Sequence, residues 1–420
     1  MQIWLGMLVI LIMVYLLAKR YETRMVLFGT GMALAIIAGK PMGAFDSFTK
    51  ALQDWRILEP IVSAMGFAMV ARATTCDKHL IALLTSSLRK AGPFLIPGAV
   101  LLTAAVNSSL TSAAGVAAAV GSILIPLLMA AGVHPAAAAS AVMAGTFGSN
   151  YNPGHVHNVL VAELAGKTPM DVLAVQSFPL TIALIIGAVS LTAITFYLKE
   201  NKGYELTGAK AASDLDGLKI NHLYAVIPML PLLILVLGNA QVIPILKMSV
   251  SHAMLIGVLA ALVVTRSNPA SISEAFFKGF GDSFGRIFGI IVTAFVFVDG
   301  MSAVGLIQAL TTAMTSSPEI AKLAAALGPW GLAVISGSGE AASIAFNKAV
   351  SAHATQFGLD TVHMGAMATL SGAIGRTMSA ISGATIICAG FAGINPLEIA
   401  KRNALGMMLA LIVTYLILMR

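Results

Sequence analysis

The chain has 420 residues, of which 58% are hydrophobic and 10% charged, and its mean hydropathy is +0.90. A soluble domain carries about 25% charged residues, so this composition excludes one. The net charge of +7 sits in short loops between apolar segments, where it reads as membrane topology and not as a nucleic-acid surface.

Apolar segments of roughly 15 to 25 residues recur along the whole length, which predicts an all-α, polytopic membrane protein. The alternation of a membrane barrel does not run through it. Residues 1–17 lack a basic start and a small-residue cleavage site, and Lys19 and Arg20 follow, so they read as a retained first helix and not a signal peptide. A second span covers 25–38. Residues 44–56 form an amphipathic surface piece, with Phe45, Phe48, Leu52 and Trp55 on one stripe. A third span covers 60–75, and 77–90 is a second amphipathic surface helix. Residues 93–131 are long enough for two spans. Their centre, Asn107-Ser108-Ser109-Leu110-Thr111-Ser112, is polar but lacks loop charges, which predicts a re-entrant hairpin with a mid-membrane tip. Residues 135–147 make a half-span that breaks at 148–158 and resumes to 165; a full span follows at 172–198.

Residues 199–221 are the one long polar loop and divide the chain into an N-terminal half, 1–198, and a C-terminal half, 222–420. The second half repeats the order. Spans at 224–237 and 251–264 precede an amphipathic run at 272–286 with Phe276, Phe277, Phe280 and Phe284. A span at 287–304 carries Asp299. A second hairpin covers 328–350, with its tip at Ser336-Gly337-Ser338-Gly339-Glu340. A second broken span joins 362–374 to 379–391, and 404–419 is the last span. Most Lys and Arg fall in the loops assigned to the cytoplasm, which makes the first hairpin enter from that side and the second from outside. The halves are therefore expected to be inverted repeats, an architecture of secondary transporters.

The polar residues at the breaks suggest the chemistry. Discontinuous helices put N–H groups and positive dipole ends at mid-membrane, which suits a carboxylate. Asn107, Ser108, Ser109 and Thr111 at one tip, and Ser336, Ser338 and Gly339 at the other, are candidate substrate-binding residues, with Thr377 beside the second break. Arg376 offers a planar fork that fits a carboxylate; Glu340 could equally be its ion-pair partner. Glu340, Asn150 and His155 are candidates for a coupling-ion site or an ion pair, the ion being Na+ or H+; His157 is a further titrating candidate. A loop histidine capping backbone accounts for either imidazole equally well. Two His at i, i+2 make a weak metal signal, so no metal is expected. No cofactor motif occurs: Gly166-Lys167-Thr168 lacks the preceding Gly of a nucleotide-binding loop. Cys76 and Cys388 are far apart and read as packed thiols. An intramembrane enzyme using Ser with His155 or Asp299 lacks a supporting motif, and symmetric breaks fit alternating access better than a pore.

Three stretches carry a resemblance: Gly-Ser-Gly-Glu-Ala-Ala-Ser-Ile-Ala-Phe from Gly337, Ile-Gly-Arg-Thr-Met-Ser-Ala-Ile-Ser-Gly from Ile374, and Gly-Ile-Asn-Pro-Leu-Glu-Ile-Ala-Lys-Arg-Asn from Gly393. Together they resemble the second half of the DcuC-type anaerobic C4-dicarboxylate transporters, and residues 105–116 resemble the first half more loosely. That resemblance implies the ion-transporter superfamily: a scaffold domain and a transport domain with opposed hairpins, moving as an elevator in a homodimer. It implies a bacterial inner-membrane location, a small dicarboxylate and the lipid bilayer as partners, and no enzyme activity. The implied substrates are succinate, fumarate and malate; the alternative is another organic anion or ion handled by the same superfamily. Two features depart from the family pattern. Glu340 stands where Asn is usual, and the break at 147–158 has its own sequence.

Overall fold

At membrane depth no water bonds the backbone, so a chain this apolar must satisfy its own N–H and C=O groups within helices. The computed structural model describes residues 2–19, 21–88, 92–204, 218–239 and 242–420, and among them there is no strand. The first half runs α1 (Gln2–Ala18), α2 (Thr23–Ile37), α3 (Pro41–Leu52), α4 (Trp55–Ala73), α5 (Cys76–Leu88), α6 (Leu95–Ser109), α7 (Ala113–Ala130), α8 (Pro135–Gly145), α9 (Val156–Ala165) and α10 (Pro169–Tyr197). The second half runs α11 (His222–Val226), α12 (Leu230–Asn239), α13 (Val250–Thr265), α14 (Pro269–Ser283), α15 (Gly289–Ala303), α16 (Leu306–Ser316), α17 (Pro318–Ser336), α18 (Gly339–Ala349), α19 (Thr361–Thr377), α20 (Gly383–Ala392) and α21 (Pro396–Leu418).

Local chemistry fixes several of these starts. Thr168, Asn268 and Asn395 each precede a proline at the first helical position, and each side chain accepts a bond from the opening turn. The cap satisfies an orphan N–H, and proline occupies a position whose N–H is unbonded anyway. Among the described residues, α7, α10, α17 and α21 are long and apolar enough to cross a membrane, or five spans if α15 and α16, bent by 78°, count as one. By contrast α8 has 11 residues and α9 has 10. At 1.5 Å per residue each reaches only about 15 Å, half a bilayer.

Two groups of contacts organise the fold. In one, α2 and α3 pack along α15, and α13 and α14 pack along α4. In the other, α6 and α7 pack on α8, α17 and α18 pack on α19, and α10 runs along α21. Each hairpin also reaches the other half's broken span: α7 lies on α20, and α18 touches α9.

The expected order of elements holds, with shifted boundaries. Trp55 opens α4 and does not belong to α3; the turn at Gln53 and Asp54 separates them. The face α3 buries is its small-residue face, Ala44, Ser47 and Ala51, while Phe45 is exposed. Likewise α14 buries Ile272, Ala275, Gly279 and Ser283 and leaves Phe277 exposed. Small residues admit close helix approach, and the larger side chains divide: Phe48, Leu52, Phe276 and Phe280 pack against the core, while Phe45, Trp55, Phe277 and Phe284 are exposed. The second hairpin begins at Pro318, with Pro329 inside α17. Its break partner runs to Thr377, so Arg376 lies in the last turn of α19 and not in the break. The last span begins at Pro396, not 404. Residues 205–217 of the polar loop, and Arg89 and Lys90 of the second surface helix, lie outside the described residues.

Candidate functional site

The first hairpin turns at Leu110–Ser112. Ser112 caps α7 by accepting the Gly115 N–H at 3.1 Å. The second turns at Gly337 and Ser338. Gly337 takes a left-handed backbone (φ +76°), which glycine adopts without a Cβ penalty, and Ser338 caps α18 through the Ala341 N–H at 3.3 Å. The first break spans Thr146–His155, and α9 starts at Val156; the second lies between Thr377 and Gly383. Amides bind the first tip to the first break. Asn107 Nδ2 donates to the Leu110 carbonyl at 2.8 Å, and its Oδ1 accepts the Ser149 N–H at 2.8 Å. Asn152 Nδ2 donates to the Ser108 carbonyl at 2.8 Å. Asn158 Nδ2 bridges the Asn150 and Asn152 carbonyls at 2.9 and 2.8 Å, and Gln176 of α10 donates to the Asn150 carbonyl at 2.7 Å.

Two adjoining cavities lie between the tips and share His155 and Glu340 in their walls. The larger, about 240 Å³, is lined by Thr111, Ser112, Arg72, His155, Asp282 and Glu340, among others. The smaller, about 20 Å³, is lined by Ala113, Ser149, Asn150, His155, His157, Gly339, Glu340, Ala373 and Arg376. The N-terminal ends of α7, α9 and α18 therefore face one chamber, and their positive ends favour an anion. The volume is below the usual 300–1,000 Å³ of ligand pockets, roughly the scale for a very small molecule.

Arg376 has a partner that sequence reasoning missed. Its Nη1 donates to Thr146 Oγ1 at 3.1 Å and its Nη2 to the Thr146 carbonyl at 2.9 Å. The guanidinium thus sits in the last turn of α19 and bonds the residue that ends α8. It offsets the negative ends of both broken helices, where a cation is favoured. Two of its five N–H donors serve Thr146. Three buried atoms of the first break and the start of α9, Asn150 Oδ1, His155 Nδ1 and His157 Nδ1, find no hydrogen-bond partner among the described residues. The two imidazoles stand with ring centroids 5.0 Å apart.

The structure brings Thr111, Gly339, Glu340, Arg376, Asn150 and His155 to the chamber. It directs the other candidates elsewhere. Ser108 Oγ donates back to the Ala105 carbonyl at 2.7 Å and lines an apolar cavity of about 780 Å³ with Leu101, Leu173, Leu184 and Leu232. Ser109 Oγ donates to Met229 Sδ at 2.8 Å. Ser336 Oγ donates to the Leu332 carbonyl at 2.7 Å, and Thr377 Oγ1 to the Ile374 carbonyl at 2.6 Å. Asn107 and Ser338 hold the tips in shape. The residues missed were Ser112, Thr146, Arg72 and Asp282. A Ser one residue before an apolar helix is a readable cap signal; the others sit in sequence among ordinary helix residues and carry no local mark. Among the described residues no group of three or more His, Cys, Asp or Glu could hold a metal ion.

Among the described residues the chain is all helical, with long apolar helices, two hairpins and two broken helices, the build of a multi-pass membrane protein, and its family is one of carriers, not enzymes. The family model described as "C4-dicarboxylate anaerobic carrier" matches residues 57–420, and the chain belongs to this DcuC family. A putative uncharacterized transporter of Haemophilus influenzae is 40% identical over 270 residues, covering 62% of this chain and 97% of that protein. A probable anaerobic C4-dicarboxylate transporter DcuC of Vibrio cholerae is 27% identical over 334 residues, covering 76% and 71%. In fold the chain is similar to the crystal structure of the Alcanivorax borkumensis YdaH transporter, with a TM-score of 0.65, 16% identity, and 89% and 87% coverage.

Proposed function

We propose that this protein is a secondary active transporter of C4-dicarboxylates, the class of succinate, fumarate and malate, working by alternating access in a bacterial inner membrane. The observation that carries the reading is the convergence of both hairpin tips, the first break and the last turn of α19 on one small chamber. Three helix N-termini and Arg376 meet there. Thr111, Gly339 and Arg376 face the substrate in this reading, while Glu340, Asn150 and His155 serve it or a coupling H+ or Na+. Asn107, Ser108, Ser109, Ser336, Ser338 and Thr377 shape the tips and breaks.

The halves 1–198 and 222–420, joined by 199–221, act as inverted repeats. Support comes from paired contacts: α2 on α15 matches α13 on α4, and α3 on α15 matches α14 on α4. Helices α1–α5 and α11–α16 then form a scaffold, and the hairpins with α8–α10 and α19–α21 form the moving part of an elevator. The protein is expected to work as a homodimer.

Proteoliposomes test this. Labelled succinate should enter faster when the vesicles are preloaded with unlabelled dicarboxylate. Vesicles that take up no member of a dicarboxylate panel would sink the reading.

A further inference from the structure

The two cavities between the tips differ in what they can hold. Arg376, Asn150 and His157 meet in the smaller one, whose volume of about 20 Å³ is room for a single water molecule. The body of a C4-dicarboxylate has space only in the larger, about 240 Å³, which Arg376 does not line. That cavity has a cation of its own. Among its described lining residues the basic side chain is Arg72, in the last turn of α4. His155, at the head of α9 and 6% exposed, lines it as well. Its Nδ1 lacks a partner among the described residues, the mark of a wall that a ligand or water completes.

Arg72 stands among other donors. Its Nη2 donates to the Gly115 carbonyl of α7 at 3.3 Å, which uses one of its five N–H groups. Ser112 caps α7 by accepting the Gly115 N–H, and its own O–H has no acceptor among the described residues. The N–H groups of Ala113 and Ala114 open α7, where a helix has no internal partner for them. A Cβ at Gly115 would lie 3.2 Å from Ser112 Oγ and 3.3 Å from Arg72 Nη2, so guanidinium, hydroxyl and helix end share one spot. All three donate, and the helix end adds positive charge.

We propose that Arg72, with the Ser112 hydroxyl and the first N–H groups of α7, binds one carboxylate of the substrate in the larger cavity. This rests on the transporter reading above and adds a substrate-binding residue to it. A guanidinium fork fits a carboxylate. Asp282 and Glu340 also line the cavity and repel an anion, which makes the Arg72 end its seat. That seat spans α4 and the first hairpin, which belong to the two separate groups of helices. A bound carboxylate therefore ties one group to the other.

The test uses the full chain, in proteoliposomes with labelled succinate and in detergent melted with and without succinate. In Arg72→Gln the KM for succinate should rise on the order of tenfold to a hundredfold, the worth of a charged hydrogen bond, while the rate at saturation changes less. The rise in Tm that succinate gives should shrink with it, since binding to the folded state is what raises Tm. Arg72→Lys, which keeps the charge and loses the fork, should fall between. An Arg that only offsets the C-terminal end of α4 would lower Tm on removal and leave KM and the succinate shift alone. Unchanged KM and shift in Arg72→Gln would therefore overturn the proposal and leave the transporter reading standing. If Arg72→Gln does not fold, Arg72→Lys decides by the same two readouts. Failure of both to fold would overturn the proposal, because the residue is then structural. Uptake of no dicarboxylate by the unmodified protein would overturn both readings.

Discussion

The two halves of the chamber solve one problem by different means. The first tip and break are held by amides: Asn107, Asn152 and Asn158 bond backbone groups across the gap, with Gln176 behind them. The second is held by close packing. A Cβ at Gly339 would lie 2.5 Å from the Gly372 carbonyl oxygen, and hydroxyls such as Ser343 and Ser379 bond carbonyls of the neighbouring helix. The first half gives the chamber polar atoms without partners among the described residues; the second gives it Glu340 and Arg376. A dense run of polar residues in a membrane segment is therefore not by itself a ligand site. What separates scaffold from site is whether each polar atom is already satisfied by backbone.

The largest effect is expected where the two halves meet. In Arg376→Lys an ammonium replaces the fork that spans Thr146 Oγ1 and its carbonyl. Loss of one charged hydrogen bond costs about 1.5–3 kcal/mol, so both melting temperature and dicarboxylate affinity should fall. A variant with unchanged uptake and stability would show that the α19–α8 clamp matters to neither. Next comes Asn107→Leu, which strands the Ser149 N–H and the Leu110 carbonyl in a buried site at about 1–3 kcal/mol each. Melting should drop clearly, and uptake should fall with it because the break loses its shape. Gly339→Ala tests the packed half. Its Cβ meets a backbone oxygen, and overpacking of this kind costs about 1–3 kcal/mol, so the tip must shift and affinity drop with a smaller change in melting. The smallest effect belongs to Ser109→Ala, whose hydroxyl faces Met229 and not the chamber; stability should change by no more than about 0.5 kcal/mol. If Ser109→Ala instead weakened uptake as much as Asn107→Leu, the division between satisfied and unsatisfied atoms would lose its meaning.

Much of this was legible in sequence. Apolar length located the helices, and polar residues without loop charges located both tips and both breaks. Order was also readable, because α3 and α14, the hairpins and the broken spans recur in the same sequence. Two things were not. Hydroxyls in an apolar stretch look alike whether they bond their own preceding turn, as Ser108, Ser336 and Thr377 do, or line a cavity while donating to Met65 Sδ at 3.2 Å, as Thr111 does. That distinction is a matter of rotamer and neighbouring backbone. The bond between Arg376 and Thr146 joins residues 230 positions apart, and Thr146 carries no charge to suggest it. Only Glu340 and the substrate were visible as partners for the cation.

The central claim is that the substrate binds in the chamber between the two hairpin tips. A structure of the protein with the dicarboxylate it transports fastest tests this most directly. The account predicts a ligand carboxylate within hydrogen-bond distance of Arg376 or the N-terminal turns of α7 and α18, with the chamber closed around it. A ligand seated instead in the apolar cavity beside Ser108, with the chamber empty, would contradict it.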